Sequence, residues 1–282
     1  MSKGLLYVVA TPIGNLEDVT IRAVNVLREV DLIAAEDTRH TRQLLRYHGI
    51  DTPMTALHEH NEREKSGQLL DRVIAGDSLA LVADAGTPLI SDPGFGLVRE
   101  AVRQGVRVVP IPGASAVICA LQASGLPTDR FLFVGFPPRQ SPQRLAWLEE
   151  LKRETSTLVC YESSHRIVPT LTDMAVVFGD EREAVVAREL TKLHETFLHD
   201  SLGQLVERVS LDPDQRRGEF VILIHGDVAR KDEGILVDGE KILQVLAKEL
   251  PVKQAAALTA ELTGQKKNDL YQAILRKKRN EM

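Results

Sequence analysis

The chain has 282 residues, 43% of them hydrophobic and 27% charged, with a formal net charge of −5 at pH 7. That balance supports a folded protein with a sizeable core and argues against a surface given over to nucleic acid. No apolar run reaches the length of a membrane span, and the roughly six apolar residues before Thr11-Pro12 are too few for a secretory leader, so a cytoplasmic protein without a membrane partner is expected. Cys119 and Cys160 both lie in apolar runs, as buried free thiols in a reducing compartment would.

Leu5 to Ala10 reads as a buried strand that stops at the Thr11-Pro12-Ile13-Gly14-Asn15 turn. Thr20 is placed to cap a helix carrying Ile21, Val24 and Leu27. A second strand, Leu32 to Ala35, ends in Glu36-Asp37-Thr38-Arg39 and leads into a helix through Leu45. Met54 to Leu57 is extended, and residues 61–75 are helical with Leu69, Leu70, Val73 and Ile74 on one face. Leu79 to Val82 is a strand that opens into residues 82–94, VADAGTPLISDPG, where Asp84, a Gly86/Pro88 turn and an Asp92-Pro93-Gly94 turn precede a helix over Phe95–Gln104. Val106 to Val109 is a strand, Pro110 to Gly113 a turn, and Ala114 to Ala123 an apolar helix. Strands alternating with helices indicate a parallel or mostly parallel sheet. Four strand ends rich in Gly, Pro or carboxylate on one edge describe a ligand-binding rim.

Gly125-Leu126-Pro127-Thr128 marks a boundary. Beyond it, strands are expected over Phe131–Phe136, Thr157–Tyr161, Glu183–Arg188 and Phe220–His225, with helices over Gln143–Arg153, His165–Val177 and Leu202–Val209. Asp227 to Leu236 is polar enough to be a linker. Three regions follow: an α/β domain over 1–124, a second α/β domain over 125–232, and a small helical region over 233–282. The last has helices around Ile242–Lys248 and Val252–Leu262, a break at Thr263-Gly264-Gln265 and another helix from Lys267, a helix-turn-helix outline. Residues 263–282 hold Lys266, Lys267, Arg276, Lys277, Lys278 and Arg279 against Asp269 and Glu281, a net of +4 on an acidic body.

Neither a GxxxxGK[ST] phosphate loop nor GxGxxG after a strand is present, which removes support for nucleotide hydrolysis and for an ordinary dinucleotide fold. His58-Glu59-His60 lacks HExxH spacing and two cysteines cannot form a zinc ribbon, so no metal is expected. Pro112-Gly113-Ala114-Ser115-Ala116 approximates a hydrolase elbow, with Asp173 or Asp200 and His194 or His225 in triad order, although Ser115 as a helix-start residue explains the same pattern. Asp84 beside Gly86 favours a ligand contact, whereas Glu36-Asp37 fits a helix start almost as well as a site. Tyr161-Glu162-Ser163-Ser164-His165-Arg166 and Arg188-Glu189-Leu190-Thr191-Lys192 gather polar groups at two more strand ends.

In this order, the segments VATPIGNLEDVTIRA (9–23), AEDTRHTRQLL (35–45), VADAGTPLISDPG (82–94), PGASA (112–116), YESSHR (161–166), RELTK (188–192), GEFVILI (218–224) and GQKKNDLY (264–271) resemble the ribosomal RNA small subunit methyltransferase I family, within the tetrapyrrole-methylase superfamily. Ser164 departs from that family's proline, and His199-Asp200 from its Arg-Gly pair. The resemblance implies two α/β domains with S-adenosyl-L-methionine in the cleft between them, a homodimer, and transfer of methyl to the 2′-hydroxyl of a decoding-region cytidine in 16S rRNA of the small ribosomal subunit. It places Pro12 and Ile13 near the cofactor, Asp84, Ala85, Gly86 and Thr87 along its ribose and methionine parts, Ser115 and Ala116 closing the pocket, and Tyr161, Leu190 and Val221 contributing from the second domain. A ribose hydroxyl is a weak nucleophile, so a positioned base is expected among Glu162, His165, Glu189 and Lys192. The six tail cations, Lys266 to Arg279, are expected to hold RNA phosphates without reading sequence. The alternatives are a small-molecule, tetrapyrrole-like methyltransferase, which would not need the basic tail, a serine hydrolase using Ser115, and a non-catalytic ribosome-assembly binder.

Overall fold

A computed structural model of the chain describes residues 4–227, 239–265, 267–268, 270–272 and 274. Met1–Gly226 makes one compact unit and Asp227–Met282 another. In the first unit β1 (Leu5–Val9), β2 (Leu32–Ala35), β3 (Met54–Ala56), β4 (Leu79–Val82) and β5 (Arg107–Ile111) form a parallel sheet in the order β3-β2-β4-β1-β5. The crossovers are α1 (Ile21–Glu29), α2 (Thr38–Tyr47), α3 (Glu62–Ala75) and α4 (Phe95–Arg103). Helices cover both faces, so β2 and β4 are buried at every position and read as continuous apolar runs. Ile33, Ala35, Ala80 and Val82 pack with Ala23, Leu27, Leu44 and Leu45 of α1 and α2. The intervening Leu32, Ala34, Leu79 and Leu81 meet Leu69, Leu70, Val73, Leu97 and Ala101 of α3 and α4.

The next helix, α5 (Ala116–Ser124), packs on a second sheet built from β6 (Phe131–Phe133), β7 (Thr157–Ser163), β8 (Glu183–Arg188), β9 (Thr196–Ser201) and β10 (Glu219–Ile224). Its order is β6-β7-β10-β8-β9, parallel between β6 and β7 and antiparallel elsewhere. One face takes Val117, Ala120 and Leu121 of α5 against Val159, Val185, Ala187, Val221 and Leu223. The other packs under α6 (Ser141–Leu151), α7 (Ile167–Phe178) and α8 (Leu202–Leu211), where Leu171, Leu202 and Leu205 have no exposed surface. Each such side chain contributes about 1.5–3 kcal/mol by leaving water. Arg144, fully enclosed, pairs with Asp173 at 2.7 Å and donates to the carbonyls of Pro138, Arg139 and Pro169, fixing the loop before α6.

Three differences from the expected elements have physical causes. β5 runs through Pro110 and Ile111 instead of turning there, because β5 is an edge strand where proline's missing N–H faces no partner. β6 stops at Phe133, ahead of Gly135 at φ 69°. Residues Thr196–Ser201 form β9, unforeseen because an edge strand with one buried position carries little apolar signal.

In the second unit, α9 (Gly239–Glu249) and α10 (Val252–Thr263) enclose Leu243, Ala255 and Ala256 with Leu270 and Ile274. Gly264, at φ 68°, ends α10 at the expected break. Lys267 is exposed; Lys266, Arg276, Lys277, Lys278 and Arg279 lie outside the described residues.

Candidate active site

The carboxyl ends of the first sheet's strands are tied together by their loops. Thr11 and Gly86 exchange both backbone hydrogen bonds, at 2.8 and 3.0 Å, joining the loops after β1 and β4. The Thr87 hydroxyl donates to the Ala114 carbonyl at 3.0 Å, adding the loop after β5. The loop after β2 joins through Asp84, which accepts the Asp37 N–H at 2.8 Å and faces His40 Nδ1 at 3.1 Å. Gly86 sits at φ 78°, and a Cβ there would lie 3.2 Å from Ile13 Cγ2. A side chain would be strained by both conformation and space.

This rim faces the second sheet across a cavity of about 520 Å³, a size typical of small-molecule sites. Ile13, Ala85, Ile90, Ala116, Phe136, Leu190 and Val221 supply its apolar lining, and Glu36, Asp84, Asp92, Glu162 and Glu219 its carboxyl groups. The halves also touch directly, since a Cβ at Gly14 would meet Lys192 Cγ at 2.5 Å and the Leu190 carbonyl at 2.9 Å. Among the described residues, four non-glycine residues have positive φ: Leu89 and Ser91 in the loop after β4, and Glu189 and Thr191 in the loop after β8. Backbone strain of this kind concentrates at functional sites.

The two walls differ electrostatically. On the first, burial raises the Glu36 carboxyl, the N–H of Asp84 only partly offsets this, and the charges of Asp84, Glu59 and Asp37 add to the rise. Burial and the charges of Glu36 and Asp84 push Asp92 up to about 7. On the second wall, Glu162 is enclosed and fully engaged. It accepts from Ser163 N–H at 2.7 Å and Thr170 Oγ1 at 2.6 Å, and pairs with Arg166 at 2.6 Å. Lys192 bridges Glu189 at 2.9 Å and Glu219 at 3.0 Å. Burial alone would raise Glu189, but the Lys192 ammonium and the Glu219 N–H outweigh it and hold the carboxyl below its ordinary range. Burial likewise opposes the charge on Lys192, yet its two carboxylate partners raise it.

Every cofactor residue expected from the sequence lines this cavity except Pro12, which is buried beside Ile13. Of the expected bases, Glu162 lines it with its oxygens engaged, Glu189 and Lys192 pair with each other beside Leu190, and His165 is exposed and outside the lining. The hydrolase alternative is not assembled. Asp173 is held by Arg144 and Ser141, Asp200 by Arg208 and Ser201, and the His225 ring by the Gly226 carbonyl. Among the described residues no hydrogen bond joins any of these, or His194, to Ser115. Asp92, Ile90, Ser91, Phe136 and Glu219 also line the cavity but were missed as site residues. The Asp-Pro-Gly sequence at Asp92 signalled a turn and hid a cavity carboxyl.

Comparison with known proteins gives the chain's family. The family description Tetrapyrrole (Corrin/Porphyrin) Methylases matches residues 5–206, and RsmI C-terminal HTH domain matches residues 233–278. The chain is 52% identical over 278 residues to the Ribosomal RNA small subunit methyltransferase I of Pseudomonas aeruginosa, covering 98% of this chain and 99% of that one. It is 50% identical to the protein of the same name from Escherichia coli O157:H7, covering 97% and 96%. Among solved structures, a diphthine synthase superposes with a TM-score of 0.60 at 17% identity, covering 79% of this chain and 90% of that one. Uroporphyrin-III C-methyltransferase from Thermus thermophilus, complexed with S-adenosyl homocysteine, superposes with a TM-score of 0.55 at 21% identity, covering 81% and 100%. The two superpositions bear on fold alone. The chain belongs to the tetrapyrrole methylase family, on the branch of the ribosomal RNA small subunit methyltransferase I proteins.

Proposed function

We propose that the protein is an S-adenosylmethionine-dependent methyltransferase acting on ribosomal RNA of the small subunit, at the 2′-hydroxyl of a decoding-region cytidine, as a cytoplasmic homodimer. One observation carries the reading: about half of the residues are identical, over nearly the whole chain, to relatives bearing the name Ribosomal RNA small subunit methyltransferase I.

The cavity suits the cofactor in three respects. Its volume is that of a small-molecule site, its apolar side chains offer surface to a flat base, and Asp84 at its rim offers a carboxylate to the polar parts of the ligand. Ile13, Ala85, Gly86, Thr87, Ala116 and Leu190 would hold S-adenosylmethionine, which when bound supplies an electrophilic methyl on a positively charged sulfur. The laced loops fix the cavity's shape before ligand arrives. Much of the acceleration of an in-line displacement comes from such alignment. Outside the cavity, α2 starts at the rim and exposes Arg42 and Arg46, with Arg39 beside them paired to Asp37. This is a basic face suited to RNA phosphates on an otherwise acidic body.

The test is incubation with methyl-labelled S-adenosylmethionine and small subunits from cells lacking the modification, followed by digestion of the RNA to nucleosides. Label is expected in 2′-O-methylcytidine. Label in a base-methylated nucleoside would refute the ribose assignment. Label entering a tetrapyrrole and no RNA would favour the small-molecule alternative.

A further inference from the structure

Among the described residues, five carboxyl groups line the cavity, and four have hydrogen-bond partners. Glu36 accepts the Asp84 N–H at 3.4 Å, Asp84 accepts the Asp37 N–H, Glu162 is held by Ser163, Thr170 and Arg166, and Glu219 by Lys192. Asp92 has none among the described residues and is half-buried.

Its position is set from behind and from the side. Leu89 and Ser91 hold φ at 74° and 70°, turning the loop toward the cavity. A Cβ on Gly94 would meet Leu81 Cδ2 at 2.6 Å, so the loop's end sits directly on the first sheet's core. At its other edge Ser91 Oγ lies 3.8 Å from the Cβ position of Gly135, so the loop reaches the second half. Across the cavity stands Tyr161, whose hydroxyl is pushed up to about 12 by burial first and by the negative charge of Asp92 second.

We propose that Asp92 is the general base of the methyl transfer, taking the proton of the acceptor hydroxyl in place of Glu162, His165, Glu189 or Lys192. The proposal rests on the methyltransferase reading above. In the step, the hydroxyl oxygen forms a bond to the methyl carbon and its O–H bond breaks, the proton passing to an Asp92 carboxylate oxygen. The methyl would come from S-adenosylmethionine, whose sulfur would keep the electron pair of the broken carbon–sulfur bond and become neutral, and the Asp92 carboxyl would then return the proton to solvent.

The surroundings of Asp92 suit that task. Glu36 and Asp84 face it from the loops after β2 and β4, with Glu59 and Asp37 acting on Glu36 from behind, and Tyr161 faces it from β7. No cation is among the groups that shift it. A base works best when its affinity for protons lies near the working pH, and a carboxyl at about 7 meets that condition. Glu189, held ionised by Lys192, is a weaker proton acceptor.

The experiment compares wild type with Asp92→Asn in three measurements: S-adenosylhomocysteine binding by calorimetry, single-turnover methyl transfer to small subunits, and the difference infrared spectrum of the free protein against pH. Transfer should slow by roughly 10²–10⁴-fold while ligand affinity changes by no more than a few-fold. A protonated-carboxyl band with its midpoint near 7 should be present in wild type and absent from the variant. Wild-type transfer in the variant overturns the proposal. So does a loss of ligand affinity matching the loss of rate, which would make Asp92 a cofactor ligand, and so does a midpoint in the ordinary carboxyl range. If Asp92→Asn does not fold, Asp92→Glu decides. Slowed transfer at unchanged ligand affinity supports the role, and an unchanged rate overturns it. Wild type that methylates no RNA overturns the functional reading as well, whereas methylating wild type with an unimpaired variant overturns this proposal alone.

Discussion

The two walls of the cavity carry similar numbers of carboxylates and treat them in opposite ways. On the wall built by the parallel sheet, Glu36, Asp84 and Asp92 crowd one another, and burial raises Glu36 and Asp92. On the wall built by the mixed sheet, Glu162 is paired with Arg166, and Glu189 beside the cavity shares the single Lys192 ammonium with the mostly exposed Glu219. A carboxylate with a cation and two or three donors is a structural fixture whose lone pairs are spent. A carboxyl pressed against like charges exchanges its proton near neutral pH. The contrast assigns framework to the second wall and proton traffic to the first.

The largest effect expected on that contrast comes from Glu162→Ala. It strands the Arg166 cation, removes the acceptor from the fully buried Thr170 hydroxyl, and should cost about 3–5 kcal/mol in denaturant unfolding. If the variant keeps its stability but loses turnover, Glu162 is chemical and the division of labour fails. Next is Gly14→Ala, whose new methyl would meet both Lys192 and the Leu190 carbonyl. The halves must shift apart, at about 1–3 kcal/mol, and S-adenosylhomocysteine affinity should fall with stability. Unchanged melting and binding would mean the walls are not held in register there.

The pH dependence of stability provides a third measure. Asp92 has a folded pKa of about 7, above the value of about 3.9 for an unfolded aspartate, so the fold favours its protonated form. That contribution is complete below about pH 4 and is lost as pH rises through about 7. Asp92→Asn should therefore melt at a higher temperature than wild type above about pH 7, the gap opening between about pH 4 and pH 7. Parallel melting curves across that range would show that Asp92 is an ordinary exposed carboxylate. The smallest change is expected for Lys192→Met. Glu219 is mostly exposed and the bridge is screened, so the loss should stay within about 1 kcal/mol and turnover within a few-fold. A collapse of turnover would return Lys192 to the chemistry.

Much of the first sheet was legible because β2 and β4 are buried on both faces and appear as unbroken apolar runs. The loops at its carboxyl edge announced themselves through Pro12, Gly14, Gly86 and Pro88, residues a turn requires. β9 was not legible, since Thr196 to Ser201 is polar and gains its strand conformation from pairing with β8. The same limit applies within the site. Asp92 and Glu162 are both acidic residues near strand ends; Arg166, four residues on, is a local hint of pairing for Glu162, but no local residue marks Asp92 as a cavity carboxyl. The rest of the difference arises when folding brings Glu36 and Asp84 beside Asp92 and closes Thr170 onto Glu162. Lys192 likewise meets Glu219 only because β8 pairs with β10.

The most direct test is the pH dependence of kcat/KM for the methyl donor in wild-type protein, with small subunits as acceptor, since this quantity reports groups of the free enzyme. The account predicts that kcat/KM rises with pH as one carboxyl ionises and levels off above about pH 7, following the Asp92 midpoint. A flat profile between about pH 5 and pH 8, with methyl still reaching the RNA, would contradict it.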